Sequence, residues 1–127
     1  MTLLIIAAGG AFGAVSRYLA AGWVQALAGE FFPWGTLVVN VAGCLALGFA
    51  VVWLQSSIAS AELRGFVTIG FMGSFTTFST FSYETLEMLR DGEWLRAGGY
   101  LAGSLGLGLL AVLLGTILAN NLLRLRR

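Results

Sequence analysis

Residues 71–84 combine hydroxyl groups and aromatic rings inside an otherwise apolar part of the chain, a combination suited to contacting an ion. The segment carries six serine and threonine side chains, namely Ser74, Thr76, Thr77, Ser79, Thr80 and Ser82. Gly70 and Gly73 loosen its backbone, and it has no charge before Glu84. Since hydrocarbon tolerates irregular backbone only where protein buries it or where it lines a water-filled path, the segment is typical of a permeation or ion-binding element. The permeating ion would therefore be bound by hydrogen-bonding groups and dipoles rather than by a fixed counter-ion.

The composition places the whole chain, residues 1–127, in one integral membrane domain, because 58% of its residues are hydrophobic and 10% are charged. A spanning helix needs about 20 largely apolar residues. Four such stretches occur, at residues 3–27, 32–54, 65–89 and 97–123. The connections between them are short and leave no extramembrane domain for an enzyme site. We predict an all-α membrane protein with four transmembrane helices, surrounded by membrane lipid, that requires no nucleic acid and no other protein.

The arginines are spread over both sides of such a four-helix chain. One side holds Arg64, Arg124, Arg126 and Arg127, and the other holds Arg90 and Arg96, with Arg17 not assigned to either side. This weak positive-inside bias would let the chain insert both ways up, which favours an antiparallel dimer. The alternative is that the three C-terminal arginines fix the C-terminus in the cytoplasm. Four packed helices enclose no aqueous route and the sequence shows no internal repeat, so a pore implies at least two subunits.

Small residues in the first and fourth stretches predict close helix contacts. Gly9 and Gly13 have the four-residue spacing that permits such contacts, and Gly99 and Gly103 repeat it. Arg17 lies within the first span, where a charge is costly and usually faces protein, water or headgroups. It is either an arginine reaching towards the helix end or a positive residue in an anion vestibule.

Four more polar residues lie among apolar neighbours. Asn40 has a carboxamide with two N–H donors, which could either hold the helices together or face a permeating anion. Thr36 lies one turn earlier on the same helix face. In the fourth stretch, Tyr100 and Ser104 share a face, so they could either pack between helices or extend a polar track.

Phenylalanines recur every three residues in the third stretch, at Phe75, Phe78 and Phe81. An aromatic ring has a negative face and a positive edge. A box of ring edges, together with an amide N–H, could therefore replace part of the hydration shell of a small anion. The alternative is aromatic packing at a subunit interface.

The third helix is predicted to break between Gly73 and Thr77, near the middle of the membrane. A break frees carbonyl oxygens, which can coordinate a hard cation such as Na⁺. Glu84 lies near the end of this span, where it is either a solvated or Ser/Tyr-bonded carboxylate or part of a pore mouth. A proton-coupled role would usually require the acid nearer the midplane.

Three segments of the sequence form a specific pattern. They are Gly-Gly-Ala-Phe-Gly-Ala-Val-Ser-Arg-Tyr (9–18), Gly-Thr-Leu-Val-Val-Asn-Val-Ala-Gly-Cys (35–44) and Gly-Phe-Met-Gly-Ser-Phe-Thr-Thr-Phe-Ser-Thr-Phe-Ser-Tyr-Glu (70–84). With these segments the chain resembles, along its whole length, the CrcB/Fluc family of small bacterial fluoride channels. The resemblance implies a dual-topology antiparallel homodimer in the bacterial cytoplasmic (inner) membrane. It also implies two pathways that export fluoride by passive electrodiffusion and so give fluoride resistance.

The same resemblance implies roles for individual residues. Asn40, Phe78 and Phe81 match pore residues of the family, the two phenylalanines belonging to its aromatic box around fluoride. The candidates for its hydroxyl-lined track are Thr77, Tyr100 and Ser104. The carbonyl oxygens of Gly73 and Thr76, from both subunits, would hold a structural Na⁺ at the dimer centre. Arg17 would lie near a vestibule.

Two other functions are compatible with a small four-helix membrane protein. The first is a dual-topology, proton-coupled exporter of cationic compounds, which would require a carboxylate at the midplane. The second is a membrane scaffold that packs through its glycines, which leaves the density of hydroxyls and phenylalanines in the third helix unexplained. A fluoride/proton antiporter also remains an alternative to a channel on physical grounds alone.

Overall fold

The computed structural model describes residues 1–126, and within that range it contains helices and turns but no strand. The helices are α1 (Thr2–Ala28), α2 (Trp34–Ser56), α3 (Ala61–Arg64), a π-helical segment (Gly65–Met72), α4 (Gly73–Phe75), α5 (Phe78–Arg90) and α6 (Trp94–Arg124). Three of the four predicted stretches are therefore continuous helices, with their ends moved by a few residues, and the third is helical on both sides of an interruption. The prediction of an all-α architecture is confirmed.

Three of these helices, α1, α2 and α6, are long and apolar enough to cross a membrane. The third apolar stretch is divided instead into shorter helices. Thr76 and Thr77 have extended backbones, with ψ angles of 157° and 114°, and they separate α4 from α5. The predicted break between Gly73 and Thr77 is confirmed, and it falls at the last two residues of that interval.

Glycines allow α1 to pack directly on the first half of the broken helix. A Cβ atom on Gly9 would lie 2.5 Å from the Phe66 carbonyl oxygen, and one on Gly70 would lie 3.0 Å from the Gly9 Cα. Gly13 is equally close to the backbone of Phe71. Such approach is the usual function of small residues between membrane helices, and it confirms the prediction for Gly9 and Gly13.

The prediction of close helix contacts at Gly99 and Gly103 is wrong within the chain, because a Cβ atom on either would meet nothing within 4 Å.

Helices α2 and α6 run parallel and are packed through other glycines. Gly48 faces the backbone of Val112, and Gly115 faces the backbone of Leu45. The four-residue spacing identifies glycines able to pack, but the helix face turned towards a neighbour decides which of them do so.

A small core joins α5 to α2 and α6. It centres on the fully buried Tyr100, whose ring lies 5.0 Å from the ring of Phe81 and 5.3 Å from that of Phe32. Leu37, Met88 and Ala97 complete this core. Most other large apolar side chains are exposed, as expected for helices that contact lipid or a further subunit.

Replacement of Gly13 by alanine tests the contact between α1 and the broken helix. We expect Gly13→Ala to destabilise the protein by about 1–3 kcal/mol, because the added methyl group overlaps the Phe71 carbonyl. Gly22→Ala is the matched control in the same helix, because its Cβ atom would meet nothing within 4 Å. The measurement is the thermal unfolding midpoint of the purified protein in detergent. Equal midpoints for the two variants would contradict this account of the packing.

Candidate functional site

The helix break removes backbone hydrogen bonds that a continuous α-helix would make, and side chains replace two of them. In such a helix each backbone N–H donates to the carbonyl four residues earlier. The Thr77 N–H donates instead to Oδ1 of Asn40 at 2.7 Å, and the Thr80 N–H donates to Oγ1 of Thr77 at 3.2 Å. The carbonyl groups of Gly73 and Thr76 therefore lose their regular helical partners.

Asn40, on α2, binds both polar backbone groups of Thr77. Its Nδ2 donates to the Thr77 carbonyl at 3.0 Å, while its Oδ1 accepts from the Thr77 N–H. Each unsatisfied backbone group in hydrocarbon would cost several kcal/mol, so this pair of hydrogen bonds stabilises the break. A carboxamide nitrogen carries two N–H groups, and one of them is left after the bond to Thr77.

The side chain of Thr77 caps the N-terminus of α5. Besides accepting from the Thr80 N–H, its hydroxyl donates to Oγ1 of Thr80 at 2.9 Å, and it lies 3.4 Å from Oγ of Ser79. Capping satisfies one of the free N–H groups at the start of the helix. The partial positive charge of that N-terminus therefore lies beside Asn40.

Arg17, on α1, reaches the same break from the other side. Its Nη1 lies 3.4 Å from the Thr76 carbonyl oxygen, at the long end of hydrogen-bonding distance. The half-buried Arg17 also lines a cavity of about 300 Å³, whose polar walls include Thr36, Thr77 and Thr80. Arg17 thus brings a positive charge to a cavity that borders the break.

Glu84 joins this region to a second cavity. Its Oε1 accepts from the hydroxyl of Thr36 at 2.8 Å, and its Oε2 accepts from the hydroxyl of Tyr100 at 2.6 Å. Thr36 lines the Arg17 cavity, whereas Glu84 lines a cavity of about 410 Å³ that also contacts Glu87 and Arg96. The Thr36–Glu84 hydrogen bond therefore connects the two cavities.

The alternative that Glu84 is a Ser/Tyr-bonded carboxylate is confirmed by its bond to Tyr100. The second bond, to Thr36, was not predicted, and it places the carboxylate at the centre of a network. A signal was present, because Glu84 follows Phe81 by three residues and therefore lies on the same side of α5.

The two phenylalanines of the proposed box lie in different environments. Phe81 is 5% exposed and packs edge-on against Tyr100, whereas Phe78 is 75% exposed. Their ring centroids are 5.6 Å apart and the ring planes make an angle of 52°. The chain therefore brings the rings into contact but turns the ring of Phe78 outwards.

Ser104 is the one predicted hydroxyl-bearing site residue whose side chain makes no hydrogen bond within residues 1–126. Its Oγ is buried and has no hydrogen-bond partner in that range. The other predicted residues form two groups. Asn40, Thr77, Thr76 and Arg17 meet at the break, Gly73 lies one turn before it, and Phe78, Phe81 and Tyr100 form an aromatic row.

Comparison with known proteins agrees with the sequence motifs. The model of the family described as CrcB-like protein, Camphor Resistance (CrcB), matches residues 4–116. A relative from Geobacter sulfurreducens named Fluoride-specific ion channel FluC is 50% identical over 122 residues, which cover 95% of this chain and 98% of the relative. A relative of the same name from Opitutus terrae is 51% identical over 94% of this chain and 92% of its own length. Another, from Dehalococcoides mccartyi, is 45% identical over 94% of this chain and 93% of its own length.

A family match over most of the chain, together with relatives of about half-identical sequence, establishes the relationship. Three helices long and apolar enough to cross a membrane agree with it. The chain is therefore a multi-pass membrane protein that belongs to the CrcB family.

Proposed function

We propose that this protein is a fluoride-selective ion channel, and not an enzyme, that exports cytoplasmic fluoride by passive electrodiffusion through the bacterial cytoplasmic membrane. The observation that carries the proposal is near-complete alignment, at 45–51% identity, with relatives named as fluoride-specific ion channels. Fluoride enters acid-exposed cells as neutral HF and dissociates inside. A leak driven by the negative interior potential would expel the trapped anion.

The chemistry at the break supports fluoride as the permeant. Fluoride is small and accepts hydrogen bonds strongly, so closely placed donors can replace its hydration shell. The second Nδ2–H of Asn40 is such a donor, and the edges of Phe78 and Phe81 supply weaker positive charge. The larger chloride ion gains less from the same donors. In this proposal Asn40 and the two rings contact the ion along the path.

The remaining polar residues would extend this path. The cavity beside Arg17 would attract anions from water and serve as a vestibule. Thr77, Tyr100 and Ser104 would supply the hydroxyl groups of a track. Thr77 and Tyr100 make hydrogen bonds to Thr80 and Glu84, whereas the buried hydroxyl of Ser104 has no partner within residues 1–126.

The exposed ring of Phe78 supports assembly with a second copy of the chain, because a box around an ion needs walls on several sides. The charges support an antiparallel arrangement. The end of the bundle where α6 finishes has three arginines within the described residues, Arg64, Arg124 and Arg126, against Glu62. The other end has two arginines, Arg90 and Arg96, against Glu30, Glu87, Asp91 and Glu93. An antiparallel homodimer with dual topology places these opposite ends side by side.

We also propose a structural Na⁺ at the centre of that dimer, held by the carbonyl oxygens of Gly73 and Thr76 from both subunits. The break suits this site, because it deprives both carbonyls of their helical partners and unwound backbone can coordinate Na⁺. The ion would supply a positive charge that joins the two breaks. The Arg17 guanidinium, 3.4 Å from the Thr76 oxygen, would have to withdraw from it.

The Na⁺ proposal predicts a cation-dependent stability. Replacement of Na⁺ by N-methyl-D-glucamine should lower the thermal unfolding midpoint of the dimer, since that cation is too large for a carbonyl cage. In the Arg17→Gln variant, the Na⁺ concentration that gives half of the full rise in unfolding midpoint should be lower than in the wild type, because the competing guanidinium is absent. The measurement is a thermal titration in detergent. A midpoint that does not depend on the cation would contradict the site.

The channel proposal is tested by fluoride efflux from proteoliposomes, followed with a fluoride electrode. With unequal K⁺ concentrations inside and outside the vesicles, fluoride efflux should be rapid only after valinomycin is added, because electrodiffusion of fluoride needs a compensating current of K⁺. No matching release of chloride is expected. Absence of fluoride efflux from well-folded protein would contradict the proposal.

Variants separate the channel from the alternative, a dual-topology proton-coupled exporter of cationic compounds. Phe78→Ile and Phe81→Ile keep an apolar side chain but remove the ring edges, and we expect each to reduce fluoride efflux at least tenfold with the dimer intact. An exporter of cations should instead lose its transport activity chiefly in the Glu84→Gln variant. Loss of cation transport in Glu84→Gln, with fluoride efflux absent throughout, would favour that alternative.

A further inference from the structure

A polar cavity lies between the last turns of α2 and α6, away from the helix break. Its volume is about 390 Å³. The polar side chains that line it are Gln55, Ser56, Asn120 and Arg124, and Val52 and Leu123 complete its walls. None of these residues belongs to the site described above.

Three of the polar side chains in this cavity are free to bind a ligand. Within residues 1–126, the side chains of Gln55, Asn120 and Arg124 make no hydrogen bond to the protein. The hydroxyl of Ser56 donates to the Trp53 carbonyl at 2.8 Å and keeps only its acceptor capacity. Two carboxamides and a guanidinium offer several N–H donors and one full positive charge, which suits a phosphate group.

The surrounding charge also favours an anion. This end of the bundle has Arg64, Arg124 and Arg126 against the single acidic residue Glu62 within the described range. At the same end of the bundle, the guanidinium carbon of Arg126 lies 4.6 Å from the centroid of the Trp53 ring. The C-terminal ends of α2 and α6 contribute partial negative charges here, but these are smaller than the charges of the arginines.

The position of the cavity relative to the membrane surface favours a lipid over a soluble anion as its ligand. The apolar run of α2 ends at Leu54 and that of α6 ends at Leu123, so the cavity lies where both helices leave the hydrocarbon. Tryptophan and arginine, here Trp53 and Arg126, are typical anchors at that level. The apolar side chains of Val52 and Leu123 face the same space as the polar groups, so the cavity suits an amphipathic molecule.

We propose that this cavity binds the headgroup of an anionic phospholipid. The phosphate accepts hydrogen bonds from Arg124 and from the carboxamides of Gln55 and Asn120, and Val52 and Leu123 contact the glycerol and the first part of the acyl chains. A neutral zwitterionic lipid lacks the net charge that the arginines attract. Each arginine near an anionic lipid surface contributes on the order of a fivefold increase in affinity.

The test counts the lipids that stay bound to the purified full-length protein in native mass spectrometry. The probes are phosphatidylglycerol and phosphatidylcholine of the same chain length, with inorganic phosphate as a soluble competitor. Wild-type protein should retain phosphatidylglycerol in preference, even in excess phosphate. Arg124→Gln should weaken that retention about fivefold, and Asn120→Ala should weaken it measurably.

Two controls match these variants. Asn121→Ala removes the neighbouring carboxamide, which does not line the cavity, and Arg90→Gln removes an arginine at the other end of the bundle. Both should retain phosphatidylglycerol as the wild type does. Equal retention of the two lipids, equal losses in variants and controls, or displacement by inorganic phosphate would each overturn the proposal. It would also be overturned if Arg124→Gln lowered thermal stability equally with and without phosphatidylglycerol, since the arginine would then serve only the helix dipole.

Discussion

The two hydrogen bonds between Asn40 and the backbone of Thr77 are the interaction on which the rest of the structure depends. An interrupted helix at membrane depth exposes polar backbone groups that hydrocarbon cannot satisfy. Asn40 binds the N–H and the carbonyl of the same residue, so one side chain stabilises the interruption. The start of α5, the freed Thr76 carbonyl near Arg17 and the position of Phe81 all follow from a break at this point.

The two halves of the broken helix are held by different forces. Glycine contacts, chiefly at Gly9, Gly13 and Gly70, fix the first half against α1 through close backbone packing. The second half, α5, is fixed through the side chain of Phe81 and through the carboxylate of Glu84, both of which contact Tyr100. The break is thus bounded on one side by backbone contacts and on the other by side-chain contacts. It can present polar groups to an ion without losing its shape.

The sequence predicted the helices and the break because both depend on local composition. Long apolar runs require spanning helices, and glycine and hydroxyl residues at Gly73–Thr77 weaken one of them. Composition alone did not predict the role of Glu84 or the open surroundings of Gly99, although spacing places Glu84 on the same side of α5 as Phe81. Both depend on which face of a helix turns towards its neighbour, and that is decided by tertiary packing. The sequence interpretation of Asn40 left two roles open, and the structure assigns its Oδ1 and one of its N–H groups to the backbone.

The central claim is that Asn40 both closes the break and keeps one N–H for the ion. Asn40→Asp retains an acceptor for the Thr77 N–H but removes both N–H donors. The most direct measurement is therefore the voltage-driven fluoride efflux of Asn40→Asp in proteoliposomes, with protein shown to be folded by its elution volume in gel filtration. The account predicts a rate at least about fivefold below that of the wild type, since a lost hydrogen bond to a buried group costs about 1–3 kcal/mol and about 1.4 kcal/mol is a factor of ten in rate. Efflux at the wild-type rate from the folded variant would contradict it.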